Sequence, residues 1–363
     1  VSTTALAPPG TPPDWAEVER RRLASEAVLG EMESAFELAK ERAGSARFGF
    51  CVAGRPVHVE FAGAALVSGL TRALRHLEAP CHEPSFEIRV WESQTTGAVP
   101  SLPRQPSTGL GLQRVVASPG EVRRFYAELS RALYCLDAKR RLGFACFEST
   151  RLPSWDVGAP LRPLWAWWAE SEGAQLAHGA VVGSEEQAVL LAGKGGSGKS
   201  TTALACFRAG LALAGDDYVI IDSRAPHLAH SLYSTVKVQE LELERRFPEL
   251  ARHAISEPRG ADKRVLSLCD AGPGHILGRA RIRAVAAHGI STSGTPSLTR
   301  ASAVRVLAAL APSSLLQLPG PETRGLERLS RTVRGAKTFV LEAGKNERDN
   351  VELVQAILAE SAA

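Results

Sequence analysis

The chain has 363 residues, 44% of them hydrophobic and 23% charged, with a formal net charge of +4. That composition is that of an ordinary soluble globular protein, large enough for two domains, and so mild a positive balance gives no ground for a nucleic-acid partner. No run approaches 18 uninterrupted apolar residues, so no membrane span is expected. The six cysteines (Cys51, Cys81, Cys135, Cys146, Cys206 and Cys269) include no C-x-x-C pair, and read as reduced residues of a cytoplasmic protein, not as a disulfide frame or zinc site.

In chain order, residues 1–13 form a Pro-rich lead, expected to be disordered, without a basic-then-apolar secretory pattern. Residues 14–160 are expected to make an α+β N-terminal domain. Asp14–Ala43 carries apolar residues among charges at an imperfect helical period. Arg47–Phe61 reads as two strands turning at Ala53-Gly54-Arg55, Ala64–Leu77 as a helix and Phe86–Trp91 as a strand. Val99–Gly120, rich in Pro, Ser and Gly, reads as a surface loop, Glu121–Ala132 as a helix, and Leu133–Phe147 as a hairpin turning at Asp137–Arg140. The clusters Arg20–Arg22 and Lys139–Arg141 are short and read as solvated faces. This half contains no catalytic motif, and its expected role is acceptor recognition or dimer contacts. The tryptophan cluster Trp165, Trp167 and Trp168 is read as a buried helix packing two domains together.

From residue 161 to 363 the pattern changes to strand–loop–helix units. Strands are expected at Gly179–Val182, Ala188–Leu191, Tyr218–Ile221, Arg283–Ala287 and Thr338–Leu341, and helices at Lys199–Ala209, Ala301–Leu310 and Asn350–Ala359. The class implied is α/β.

Between the apolar run Ala188–Leu191 and the helix from Lys199 lies Gly193-Lys194-Gly195-Gly196-Ser197-Gly198-Lys199-Ser200, which fits G-x-x-x-x-G-K-[ST] without mismatch. Glycines let successive backbone N–H groups close on phosphate oxygens, and the helix N-terminus adds positive potential there. In this motif the lysine, Lys199, reaches the β- and γ-phosphates and the hydroxyl, Ser200, ligates Mg²⁺; Thr201 completes the turn. ATP and Mg²⁺ are the expected cofactors. The same residues hold G-x-G-x-x-G at Gly193, Gly195 and Gly198, a dinucleotide fingerprint. That fold, however, wants its acidic residue at the end of the second strand, whereas Asp216-Asp217 precede Tyr218–Ile221.

Two further groups flank the loop. His178-Gly179 begins 15 positions before Gly193, and Asp216-Asp217 begins 23 positions after it. These are the intervals of the HPr kinase/phosphorylase family, and the chain resembles those P-loop serine kinases over roughly His178–Asp222, more loosely to the C-terminus. The family's downstream E-I-R-G-[LI]-G-I segment is absent; Arg259-Gly260 lacks its apolar surround. The resemblance is closer to divergent members such as the lasso-peptide kinases, which phosphorylate a serine hydroxyl.

What the resemblance implies is a P-loop kinase domain of the HPr-kinase type at 161–363, with Asp217 as proton acceptor, His178 orienting the acid pair, Asp216 beside the metal, Lys199 neutralising phosphate and Ser200 on Mg²⁺. Glu240 and Glu242 are positional candidates for a second metal ligand, and Ser234, Lys237, Lys263 and Arg264 for the nucleotide's edge. The acceptor would be a hydroxyl-bearing peptide or small molecule, and since relatives are oligomeric a homo-oligomer is expected. A chain starting near Gly173 would keep ATP·Mg²⁺ binding, if soluble, and lose the native acceptor. The alternatives are a non-kinase P-loop ATPase or nucleotide-regulated partner-binding protein, and an oxidoreductase using the dinucleotide fingerprint.

Overall fold

A computed structural model describes residues 15–101, 116–117, 122–255, 263–318 and 324–362. Most of the expected loop at 99–120, the Pro-rich lead and the Arg259-Gly260 segment lie outside these residues.

Helix α1 (Trp15–Ala43) leads into a seven-stranded mixed sheet made of β1 (Ser45–Val52), β2 (Arg55–Ala62), β3 (Phe86–Glu92), β4 (Val116–Ala117), β5 (Val122–Ala127), β6 (Ala132–Asp137) and β7 (Leu142–Phe147), in the order β1-β2-β3-β7-β6-β5-β4. Strand alternation explains its two covered faces. On β3, Phe86, Ile88 and Val90 point to one core, while Trp91 points to the other, where Met32, Phe36 and Ala39 of α1 lie at helical spacing. Short helices α2 (Val67–Thr71), continued by a 3₁₀ turn at Arg72–Leu77, and α3 (Ser93–Thr96) fill the crossovers. The region read as one helix over Ala64–Leu77 is therefore broken in two. The helix expected over Glu121–Ala132 is a correction: Val122–Ala127 is strand β5, paired with β6, and a turn follows it. Alternate burial of Phe125 and Ala127, with strand-favouring Val, Phe and Tyr, outweighed the helical reading.

Helices α4 (Ser154–Gly158) and α5 (Arg162–Ser171) join this sheet to the second one. Leu164, Trp165 and Trp168 of α5 share one core with Phe86 and Ile88 of the first sheet and with Leu176, Tyr218 and Ile220 of the second. Phe86 stacks on Trp168 at 5.6 Å and meets Trp165 edge-on at 6.1 Å. Each fully buried tryptophan removes apolar area worth about 4–6 kcal/mol at the usual coefficient.

The second sheet holds β8 (Ala174–Gly183), β9 (Ala188–Ala192), β10 (Ala212–Gly215), β11 (Tyr218–Asp222), β12 (Leu228–Ser231), β15 (Arg279–Ile290), β16 (Ser297–Arg300) and β17 (Lys337–Ala343), while β13 (Thr235–Val238) and β14 (Arg264–Ser267) pair apart from it. Two long strands organise it. β8 pairs with β11 along its first half and with β9 and β10 along its second; β15 pairs with β12, then lies parallel to β9 and β17. The protein is thus mixed α/β with sheets that contain parallel pairs. Helix α6 (Lys199–Arg208) follows β9, and α7 (Glu240–Arg246), α8 (Leu268–Ala271), α9 (Ala303–Leu315), α10 (Gly325–Arg334) and α11 (Glu347–Ala362) complete the layers. Among the described residues, no helix is long and apolar enough to cross a membrane.

Candidate functional site

β9 is buried at all five positions, because it runs between β8 and β15. The Gly-rich loop leaves its C-terminal end. Gly193 is packed so closely that an added Cβ would stand 2.7 Å from the His288 carbonyl oxygen and 2.7 Å from Ser197 Oγ. Gly196 and Gly198 have φ of +80° and +91°, which side chains adopt at a cost. Gly198 begins α6 without a side-chain cap, so the first helical N–H groups carry no side-chain acceptor and face the loop. Lys194, Gly195 and Gly196 are exposed at the loop's tip, whereas Ser197 is buried. Lys199 folds back and donates to the carbonyls of Gly193 (2.7 Å) and Lys194 (3.1 Å), using two of its three N–H groups. Burial and the nearby Lys263 press its pKa down, against Asp216 and Asp217, which raise it.

The acid pair joins β10 to β11 along the edge of β8, after a β-bulge between Leu213 and Gly215. Bulges of this kind re-aim neighbouring side chains. The Gly179 N–H donates to the Asp217 carbonyl at 3.1 Å, so the pair sits directly beside His178. His178 Nε2 lies 3.1 Å from Asp217 Oδ1; a carboxylate only accepts, so Nε2 carries the proton. Lys237 Nζ reaches Asp217 Oδ2 at 2.6 Å. Burial pushes the Asp217 carboxyl up, but Lys237 and the His178 hydrogen bond outweigh it and hold it well below the usual carboxylate range. Asp216 goes the other way. Burial first and the Asp217 charge second push it up to about 6, against a hydrogen bond from Ser200 and the charges of Lys199 and Lys237.

The geometry thus brings His178, Lys199, Ser200, Asp216 and Asp217 together. Buried Asp216 Oδ1 and Ser197 Oγ have no hydrogen-bond partner. An orphaned carboxylate oxygen, coupled to the Ser200 hydroxyl, is a hard oxygen donor set of the kind a divalent cation takes. Among the described residues no group of three or more His, Cys, Asp and Glu side chains forms a metal cage.

Of the other sequence candidates, Lys263 lies near enough to act on Lys199, and three fall elsewhere. Glu240 pairs with Arg264 at 3.0 Å, and Glu242 with Arg246 at 2.7 Å. Ser234 donates to the Ala73 carbonyl, at the seam between the two sheets. One candidate has another role and one residue was missed. Lys237 was expected at the nucleotide's edge and instead binds Asp217. His288, at the end of β15 next to the loop, bridges Ser197 O (2.8 Å) and Thr202 Oγ1 (2.9 Å). A histidine ending an apolar strand was the only signal, and it means something only once β15 is known to adjoin β9. On the inner side, Arg162 lies over the Tyr218 ring, 5.5 Å from its centroid, within electrostatic reach of Asp217 and Asp156.

No family model matches this chain, and no curated protein matches it. Among solved structures, the HPr(Ser) kinase/phosphatase from Coxiella burnetii aligns with 52% of this chain and 99% of its own, at 10% identity and a TM-score of 0.30. The likeness is distant.

Proposed function

We propose that this protein is an ATP- and Mg²⁺-dependent phosphotransferase that moves the terminal phosphoryl group to an alcohol, a serine hydroxyl of a peptide or a small hydroxyl-bearing molecule. One observation carries the reading: the Ser200 hydroxyl at the root of a phosphate loop is hydrogen-bonded to Asp216, whose neighbour Asp217 is held ionised by His178 and Lys237. A loop that only binds nucleotide has no need of a second, oriented carboxylate beside it.

The loop's N–H groups and the N-terminus of α6 would hold the phosphates, with Lys199 turning from its two loop carbonyls toward them. Asp216 and Ser200 would hold Mg²⁺, which when bound offsets the charge on the β- and γ-phosphates. Asp217 accepts a hydrogen bond from the acceptor hydroxyl and takes its proton. A carboxylate this acidic is a weak base, but phosphoryl transfer depends mainly on positioning and electrostatics. His178 keeps Asp217 aimed, its Nε2–H on Oδ1, so that the acceptor meets Oδ2 beside Lys237.

Asp217→Asn should therefore keep nucleotide binding and lower phosphoryl transfer by about 10²–10⁴-fold, while Lys199→Ala should lose transfer and weaken binding. Titration with ATP·Mg²⁺ and mass spectrometry of candidate acceptors for the gain of one phosphate measure the two halves. Collapse of nucleotide affinity in Asp217→Asn, with transfer per bound ATP intact, would move the base elsewhere.

A further inference from the structure

Lys237 arrives at the site from a strand that belongs to neither large sheet. On β13, Val236 and Val238 enter the core beneath α6, while Thr235 and Lys237 face the other way. Thr235 Oγ1 donates to the Gly158 carbonyl at 2.6 Å, which fixes the strand against the end of α4. The aliphatic stem of Lys237 lies in the space that Gly158 leaves: a Cβ there would be 3.0 Å from both Cγ and Cδ. A lysine is thus channelled inward, and its ammonium ends 2.6 Å from Asp217 Oδ2, with the two side chains 15% and 14% exposed.

Its position relative to the chemistry is specific. Asp217 Oδ1 is held by His178, so an acceptor hydroxyl giving up its proton has to approach Oδ2, the oxygen that Lys237 covers. Asp216 feels Lys199 and Lys237 together. The acid pair is therefore bracketed by two lysines, one rooted in the phosphate loop and one on the acceptor's oxygen. A phosphoryl group travelling from loop to acceptor leaves the first and approaches the second.

We propose that Lys237 is a catalytic residue, the cation that meets the phosphoryl group on the acceptor side. This rests on the phosphotransferase reading above. In the step, the acceptor oxygen forms a bond to the γ-phosphorus and the bond from that phosphorus to the β,γ-bridging oxygen breaks, its electron pair leaving with the nucleoside diphosphate. The acceptor proton passes to Asp217 Oδ2. As that proton arrives, Asp217 loses its charge and holds Lys237 less strongly, just as the phosphoryl oxygens come within reach. An ammonium with three donors can keep one on the carboxyl and turn another to a phosphoryl oxygen.

Hydrolysis of ATP by the full chain, with water as acceptor, tests this without knowledge of the native substrate. Lys237→Met should bind ATP·Mg²⁺ within about threefold of wild type and lower kcat by about 10²–10³-fold, the size seen for removal of one transition-state donor. Lys237→Arg, which keeps the charge, should recover part of that loss. The decisive comparison is Asp217→Asn with Asp217→Asn/Lys237→Met, both of which already lack the ion pair, so it stands even if Lys237→Met alone misfolds. A further loss of at least about tenfold in the double variant supports direct contact with the phosphoryl group, because a residue acting only through Asp217 adds nothing once Asp217 is gone. Equal rates overturn the proposal. Lys199→Ala run alongside separates the failures: if it is inactive while the pair above is equal, Lys237 alone is misassigned; if it hydrolyses ATP like wild type, the phosphotransferase reading falls and this role with it.

Discussion

His288→Ala should loosen the Gly-rich loop without touching a group proposed to meet phosphate. The Ser197 carbonyl can only accept, so His288 Nδ1 carries the ring's proton and Nε2 accepts from the Thr202 hydroxyl. The ring is neutral: burial presses its pKa down to about 4, the Ser197 bond opposing and the Lys199 charge adding. One imidazole thereby ties the turn of the loop to the first turn of α6. Alanine removes both bonds and leaves a buried carbonyl and a buried hydroxyl without partners, at about 1–3 kcal/mol each. With the void left by the ring, the loss comes to about 3–5 kcal/mol. For a cooperative unit of this size that is a fall of roughly 10 °C in Tm. The two arms can be separated. Asparagine places a donor where Nδ1 was, and glutamine an acceptor where Nε2 was. Thr202 is already held by its backbone bond to Gly198 O at 3.0 Å, so the Ser197 arm should carry the loop's shape. His288→Asn should retain ATP·Mg²⁺ affinity within a few-fold, whereas His288→Gln should lose about tenfold, the equivalent of about 1.4 kcal/mol. Calorimetric titration with ATP·Mg²⁺ and thermal melting read both effects. Wild-type affinity and melting in His288→Ala would refute the reasoning.

What the sequence made legible was local. Gly193–Ser200 could be read because its meaning lies in eight consecutive residues between an apolar run and a helix. His178 and Asp217 were paired through the family resemblance that their intervals from the loop carry, and the structure places the two side chains in contact. Lys237 and His288 could not be placed, because their roles depend on which strands adjoin: β13 packing against α4, and β15 lying beside β9. The four-residue strands β10, β12, β13, β14 and β16 offered too few alternations to show a period. Val122–Ala127 was read as helix because its charges sit among apolar residues at spacings that fit either period. Helix α10 was legible and missed: Leu326, Leu329 and Val333 fall at helical intervals. The tryptophan cluster was read correctly as buried, but its two-sided packing needed the structure.

Two further outcomes test the inner side of the site. Asp156, buried on α4, is pushed up to about 6, chiefly by burial, with Ser130, Arg162 and Lys237 opposing. Its folded pKa lies above the ordinary value of 3.8, so its charge costs nothing below about pH 4, progressively more up to about pH 6, and a constant amount of about 3 kcal/mol at most above that. Asp156→Asn should therefore gain stability relative to wild type between pH 4.5 and pH 7.5 in urea melts (conditions about those values suffice to span the window), and a difference that does not change with pH would show that the carboxylate is not strained by burial. The second concerns the tryptophan seam. Trp168 stacks on Phe86 of the first sheet, has the Arg55 guanidinium 5.8 Å from its ring centroid, and shares a core with Leu176, Tyr218 and Ile220 of the second sheet. Tyr218 follows Asp217 directly, so the face that receives Trp168 belongs to the strand that Asp217 leads into. Trp168→Ala should cost about 3–5 kcal/mol and lower the melting of both sheets together, and a chain begun near Gly173 should aggregate, because Leu176, Tyr218, Ile220 and Tyr233 lose their cover. The first half of the chain is then part of what holds the acid pair in place, whatever it also recognises. Two separate transitions in Trp168→Ala, with ATP·Mg²⁺ shifting only the second while the first sheet is already unfolded, would refute that coupling.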